Sequence, residues 1–325
     1  MLRRILASIS SVTAVTSLLV GCVSFELPGG APPPLTETVV YGESGPKILM
    51  VQIDGLLTED SESSWFGLRR ESPVARIREE LDRAREDSEI RALLLRIDSP
   101  GGTVTASDLL YEEILRFKEE RGIPVVAQLM GMATSGGYYV AMAADSLVAQ
   151  PTTVTGSIGV LFSGVNFSGL MQKIGVADQT LTSGAFKDAG SPLRPMRPEE
   201  RAQIQSVIDD MYQRFLAVVR KGRPVLSAEQ VGKLADGRIY SAQQALTNGL
   251  VDRIGGVEDA VAIAREKASV SSARVVTYHR PREYRKNLYT AALPVTPPTV
   301  AWQPWWPSLP RPGFLYLWAP GGLAD

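Results

Sequence analysis

The apolar positions of the chain fall into short runs separated by amphipathic stretches. Ile48 to Ile53 is interrupted only by Gln52 and predicts a strand buried on both faces. Pro73 opens a charged amphipathic helix that should run to about Asp87. Ala92 to Ile97 is a second buried strand, leading into Asp98-Ser99-Pro100-Gly101-Gly102, with a helix expected from there to about Glu120. Pro124 to Leu129 predicts a third strand, and Gly131 to Tyr139 leads into an alanine-rich helix. Short apolar strands alternating with amphipathic helices argue for a layered α/β fold with largely parallel pairing.

The second half repeats the theme more weakly. Strands are expected at Ser146 to Ala149, after Gly159 and at Asp178 to Thr182, and a helix at Asn166 to Ile174. Pro198 to about Lys221 reads as a long helix, with Glu199 and Glu200 in its first turn, Arg220 and Lys221 in its last, and Gly222 as its stop. Ser227 caps another helix, and Asp259 to Lys267 lies in a third. Beyond Val270 the character changes. Nine of the 22 prolines and four of the five tryptophans lie from Pro281 onward, which marks 271–325 as a Pro/Trp-rich tail. Trp302, Trp305, Trp306 and Trp318 alternate there with Pro304, Pro307, Pro310 and Pro312, a pattern that leaves no room for a regular helix or a central strand. Two uses remain for such a tail: indoles in a membrane headgroup layer, or an extended strand lying in a substrate groove.

The N-terminus adds a location. Arg3 and Arg4 precede an uncharged stretch from Ile5 to Val20, too short to span a bilayer and suited to a signal peptide over 1–21. The run ends Leu19-Val20-Gly21-Cys22, which resembles the lipobox of bacterial lipoproteins and implies lipidation of Cys22. An uncleaved anchor, or an ordinary signal peptide with a stray thiol, is the plainer reading. The prolines and glycines of 22–46 then form a tether, and 47–270 the folded domain. An exported lipoprotein held at a membrane, facing the periplasm or the cell exterior, is the expected location.

Composition removes several chemistries. A formal charge of -1 offers no field for nucleic acid. One cysteine excludes an intrachain disulfide, and one histidine excludes a multi-histidine metal site, so no metal and no cofactor is expected. Any Ser-His-Asp mechanism must use His279, at the edge of the tail.

Two glycine loops follow predicted strands. Pro100-Gly101-Gly102 exposes backbone N–H groups, but a lone Pro-Gly-Gly also fits a plain turn. Ser135-Gly136-Gly137 makes Ser135 either an N-cap or a nucleophile at a sharp turn. A nucleophile needs a base, and with His279 poorly placed the remaining choice is a lysine. Most lysines lie on charged helix faces or near the tethers. Lys187 differs, in the loop Ser183-Gly184-Ala185-Phe186-Lys187-Asp188, although spacing alone does not decide.

Taken together, Asp98-Ser99-Pro100-Gly101-Gly102, Ala133 to Tyr139, Thr155-Gly156-Ser157-Ile158-Gly159 and Ser183 to Asp188 occur in an order that closely resembles the signal peptide peptidase A family, in its short single-domain form. These are serine-lysine proteases of the ClpP/crotonase-like clan. The resemblance covers about Lys47 to Ala268. It implies a repeated ββα superhelical core, Ser135 as nucleophile, Lys187 as general base, Ser157 as the hydroxyl holding the lysine amine, and Gly102 and Gly136 as oxyanion donors. It also implies peptide substrates, among them remnant signal peptides, and a homo-oligomeric ring in which Ser135 of one chain meets Lys187 of its neighbour. Such a lysine must lose about three pKa units from about 10.4, within reach of burial. Asp188 is then expected to point away from it, and Tyr138 and Tyr139 to pack in the core. Two other readings share parts of the pattern: a crotonase-like acyl-CoA enzyme, and a non-catalytic scaffold of the same clan.

Overall fold

Alternation along the central strands decides the layering. In the computed structural model, β5 (Ile90–Thr103) sends Leu93, Leu95 and Ile97 to one core and Ala92 and Leu94 to another, all fully buried. A strand buried on both faces must have a layer on each side, and here it does. The structure describes residues 33–59, 62–63, 69–281, 285–290 and 313–318.

The main sheet is built on β2 (Lys47–Leu57), β5, β6 (Val125–Thr134), β7 (Ser146–Ala149) and β11 (Arg253–Ile254), each parallel to the next. On the other side of β2 lie β12 (Arg274–His279), parallel to it, and β1 (Thr36–Tyr41), antiparallel to β12. A two-residue pair, β3 (Glu62–Ser63) and β4 (Arg69–Arg70), stands apart. The expected α/β fold with a large, mostly parallel sheet is present.

Side-chain caps start the first two helices. Ser72 caps α1 (Pro73–Glu86), with Pro73 in its first turn. Thr103 caps α2 (Val104–Arg121) through a bond accepted from the Ala106 N–H at 3.0 Å. Both helices, with α3 (Gly136–Ala141), cover one face of the sheet, while α8 (Val257–Lys267) covers the other. The remaining helices are α4 (Ser168–Lys173), α5 (Pro198–Gly222), α6 (Ala228–Leu234) and α7 (Ala242–Thr247).

The strand ends position the site. Register shifts between Asp54 and Leu56 in β2, and between Ile97 and Ser99 in β5, break the regular ladder near the carboxyl ends of these strands. The end of β6 pairs there with β8 (Val154–Gly156), which continues to β10 (Ile239–Ser241). The end of β5 pairs with β13 (Gly313–Leu317), which lies between it and β9 (Leu161–Ser163). Ligand sites of open parallel sheets form at such carboxyl ends.

Three expectations need correction. Segments assigned to tether and tail supply strands: β1, β12 and β13 all belong to the sheet. Residues 313–318 escape the proline rule because they form a proline-free window between Pro312 and Pro320. Asp178 to Thr182 forms no strand; no neighbour offers it a ladder, and Leu181 stands almost fully exposed. Cys22, the signal segment, Trp302, Trp305 and Trp306 lie outside the described residues. No helix among the described residues is long and apolar enough to cross a membrane.

Candidate active site

Ser135 follows β6 and precedes α3 with φ 53° and ψ −116°, a conformation that L-residues avoid. Among the described residues only three non-glycines have positive φ: Ser135, Ser157 and Ser269. Two of them line the same cleft of about 270 Å³, together with Gly159, Val160, Leu161, Gly237, Leu317 and Trp318. The turn is held from both sides, as the Ser135 N–H donates to the Gly156 carbonyl at 2.8 Å and the Ser157 N–H to the Arg238 carbonyl at 2.8 Å. The Ser135 hydroxyl makes no helix-capping bond, so the N-cap role does not explain the residue.

The two glycine loops meet beside it. Gly101 has φ +102°, open only to glycine, and a β-carbon there would come within 2.7 Å of the Gly136 nitrogen. Gly102, the next residue of β5, pairs with Leu57 on one side and with Tyr316 on the other. A β-carbon on Gly136 would overlap the Ser107 hydroxyl and lie 3.1 Å from the Tyr316 carbonyl oxygen. The backbones of Gly101 and Gly136 therefore approach each other closely in the turn beside Ser135. Supporting bonds hold β5 in place: the Ser99 hydroxyl donates to the Gly55 carbonyl at 2.6 Å and accepts the Gly101 N–H at 3.1 Å, and Asp98 accepts the Met132 N–H at 3.0 Å.

The expected base lies elsewhere in the chain. Lys187 is exposed, in the turn that follows Gly184, and is not among the residues lining the Ser135 cleft. Its amine has no hydrogen bond or ion pair among the described residues. Asp188 points away from it, bound to the Arg194 guanidinium at 2.8 Å, and that bond holds the Asp188 carboxyl below the usual carboxylate range. Arg194 also reaches Glu200 in the first turn of α5 at 2.9 Å. That charge-assisted hydrogen bond comes first among the forces holding Glu200 down to about 2.

The remaining candidates are occupied. His279 sits at the sheet edge, with Nε2 2.9 Å from the Thr38 hydroxyl and Nδ1 2.8 Å from the Arg280 carbonyl. Burial works against the charge of Lys47, but hydrogen bonds to Asp87 and Glu37 outweigh it and raise its pKa. Tyr138 and Tyr139 are fully buried, and Tyr138 donates to the Leu250 carbonyl at 2.8 Å. No cluster of three acidic, histidine or cysteine residues that could hold a metal occurs among the described residues.

Sequence reasoning offered an extended strand in a substrate groove as one use of the tail, but did not locate β13 within it. Its signal was a five-residue run, Phe314-Leu315-Tyr316-Leu317-Trp318, apolar and free of proline within a segment otherwise full of it.

The profile of peptidase family S49 matches residues 117–271. A protein of Enterococcus faecium named for signal peptide peptidase SppA is 38% identical over 74% of this chain and 70% of its own length. The chloroplastic serine protease SPPA of Arabidopsis thaliana is 38% identical over 61% of this chain, which spans only 29% of that relative. Protease 4 of Haemophilus influenzae is 35% identical over 66% of this chain and 34% of its own length. Among solved structures the chain is similar to a ClpP1 variant from Listeria monocytogenes, at TM-score 0.43 and 18% identity over 65% of this chain and 94% of that one. Sequence kinship of this extent places the chain in peptidase family S49, with the SppA and Protease 4 proteins, and makes it a serine protease.

Proposed function

We propose that the protein is a membrane-associated endopeptidase that cuts short, extended, apolar peptides, remnant signal peptides among them, with a Ser135–Lys187 dyad. The observation that carries the assignment of Ser135 is its strained backbone: an uncapped serine hydroxyl held at φ 53° in a cleft that Ser157 also lines. In the proposed reaction the neutral Lys187 amine takes the Ser135 proton as Oγ attacks the peptide carbonyl. The Gly102 and Gly136 N–H groups hold the resulting oxyanion, and the lysine returns the proton to the leaving amine. Water then hydrolyses the acyl-enzyme by the same proton route. Each oxyanion donor lost from such a site costs about 3–4 kcal/mol in the barrier.

The position of Lys187 favours a dyad shared between copies. The segment between β9 and α5 leaves Leu170 57%, Ile174 64%, Phe186 52% and Leu181 97% exposed. So much apolar surface on one excursion suits contact with a second copy of the chain, which would bury Lys187 as the chemistry requires. Ser157, at the rim of the Ser135 cleft, is then the hydroxyl that receives the incoming amine. The anchor in this reading is lipidated Cys22, with the Trp-rich tail as an addition.

The test is a variant series on one fluorogenic peptide. Ser135→Ala and Lys187→Ala each abolish cleavage with the fold retained, while His279→Ala leaves it nearly intact. Loss of activity in a folded His279→Ala protein would assign the base to histidine instead.

A further inference from the structure

Neither apolar packing nor its own side chain holds the Lys187 loop in place. Phe186 is half exposed, and Ala185 and Lys187 face solvent. A loop so poorly packed would sample many conformations, each taking the amine somewhere else. Charged side chains from the residues that lead into α5 restrain it. Arg194 reaches the residue after the lysine twice: Nε donates to the Asp188 carboxylate at 2.8 Å, and Nη2 to the Asp188 carbonyl at 3.3 Å. Arg197 reaches the other side, where Nη2 donates to the Ala185 carbonyl. The backbone is thus gripped two residues before Lys187 and one residue after it. Between those points the Lys187 N–H closes a turn on the Gly184 carbonyl at 3.1 Å.

Both guanidinium groups converge on Glu200. This carboxylate is 0% exposed, although Glu199 and Arg201 on either side of it are exposed. Its Oε1 accepts from Nη2 of Arg194 and from Nη2 of Arg197. Its Oε2 accepts from Nη1 of Arg194 at 2.9 Å and from the Arg197 backbone N–H at 3.0 Å. A carboxylate buried this completely is tolerated only with its lone pairs filled, and four donors fill them. Glu200 therefore orients the two arginines, and the arginines orient the loop. Asp188 also lies 3.9 Å from Arg197, so the cluster sets two cations against two anions. It balances without the Lys187 amine. That matters for a base, because a carboxylate turned toward the amine would favour its protonated form.

We infer that Glu200, acting through Arg194 and Arg197, is a positioning residue for the base: it sets the loop in the conformation that presents the Lys187 amine, and it keeps Asp188 turned away from that amine. The inference rests on the reading of Lys187 as the general base. A loop ordered before the amine meets the nucleophile leaves little conformational freedom to lose at that step. Without the clamp the same amine reaches Ser135 less often and is more often protonated when it does.

The test follows kcat and KM of the full chain on one fluorogenic apolar peptide, from about pH 6 to about pH 10, below the lysine reference near 10.4. Glu200→Gln keeps the shape and removes the charge. Arg194→Lys keeps the charge and removes the fork; Arg194 is partly exposed, so this variant guards against a folding defect from the buried site. Glu200→Asp keeps the charge one methylene short, Lys187→Ala is the control for the base, and thermal melts check each fold. Near pH 7, Glu200→Gln and Arg194→Lys should lose about tenfold or more in kcat/KM, mostly in kcat, and Glu200→Asp should recover part of it. The loss should shrink toward pH 10, where solution favours the neutral amine without help from the loop, so the rising limb moves to higher pH. A smaller folded fraction lowers the rate by one factor at every pH, and removal of the Glu200 charge acting by itself moves the limb to lower pH. An unshifted profile, at full rate or at a uniformly reduced one, or a shift to lower pH overturns the positioning role, while an inactive Lys187→Ala protein leaves the base standing. A folded Lys187→Ala protein that still cleaves refutes the base, and the positioning role with it.

Discussion

Replacing Ser135 by glycine and by alanine separates backbone strain from lost chemistry. Both variants lack the nucleophile and should be inactive. They differ in what they do to a backbone fixed at φ 53° and ψ −116°. Holding a non-glycine residue there costs about 1–3 kcal/mol, and glycine is spared that cost. Against this, glycine gives the unfolded chain extra freedom worth about 0.5–1 kcal/mol. The hydroxyl makes no capping bond in either account, so its loss is common to both variants. Ser135→Gly should therefore be about 1 kcal/mol more stable than Ser135→Ala. Ser107 supplies the control: it is buried within α2, where glycine is about 1 kcal/mol worse than alanine. Urea melts of the four variants should show the Gly-minus-Ala difference reversing sign between positions 135 and 107. A Ser135→Gly protein that is less stable than Ser135→Ala by the ordinary helix penalty would refute the strain argument, and with it the structural ground for choosing this serine.

Other outcomes follow from the same geometry. Ser135→Ala and Lys187→Ala chains, each inactive, should regain cleavage when mixed and co-assembled; a co-assembled mixture that stays inactive places the dyad within one chain. Glu200 is held down to about 2, chiefly by the hydrogen bond from Arg194, so its contribution is present above its unfolded value near 4.5 and is lost as pH falls toward 2. Urea midpoints measured at pH 6 and pH 2.5 should drop further in the native protein than in Glu200→Gln, and an equal drop in both would contradict the linkage. Gly101→Ala should abolish cleavage and also release the tail, since its β-carbon would overlap the Tyr316 carbonyl in a backbone of φ +102°; amide hydrogen exchange at Leu315 to Trp318 should become faster, and an unchanged exchange rate would argue against that contact.

Much of the fold was legible because burial on both faces leaves a plain mark. Ala92 to Ile97 could hardly be anything but a central strand, and Pro73 and Ser227 announce their helices by chemistry that acts locally. Asp178 to Thr182 failed for the converse reason: a strand needs a neighbour, and no local signal reports whether one exists. Strand β12 hid beside a proline-rich stretch, and β1 followed one, so composition averaged over the segment masked short runs such as Val275-Val276 that the sheet edge accepts. In the site, the order of the motifs pointed to Ser135, Ser157, Gly102 and Gly136, of which the fold brings Ser135 and Ser157 to one cleft. Lys187 remains outside it within a single chain, because its loop finds little to pack against there. The tail strand was the least legible part, since its placement depends on pairing with residues at least 150 positions away.

The central claim is that Ser135 is a nucleophile activated by Lys187. Its most direct measurement is labelling of the full chain with a fluorophosphonate, followed by peptide mass spectrometry. The account predicts a single adduct, on Ser135, formed as readily by His279→Ala as by the unsubstituted chain and lost in Lys187→Ala. An adduct on another serine, or one on Ser135 that disappears with His279 and persists without Lys187, would contradict it.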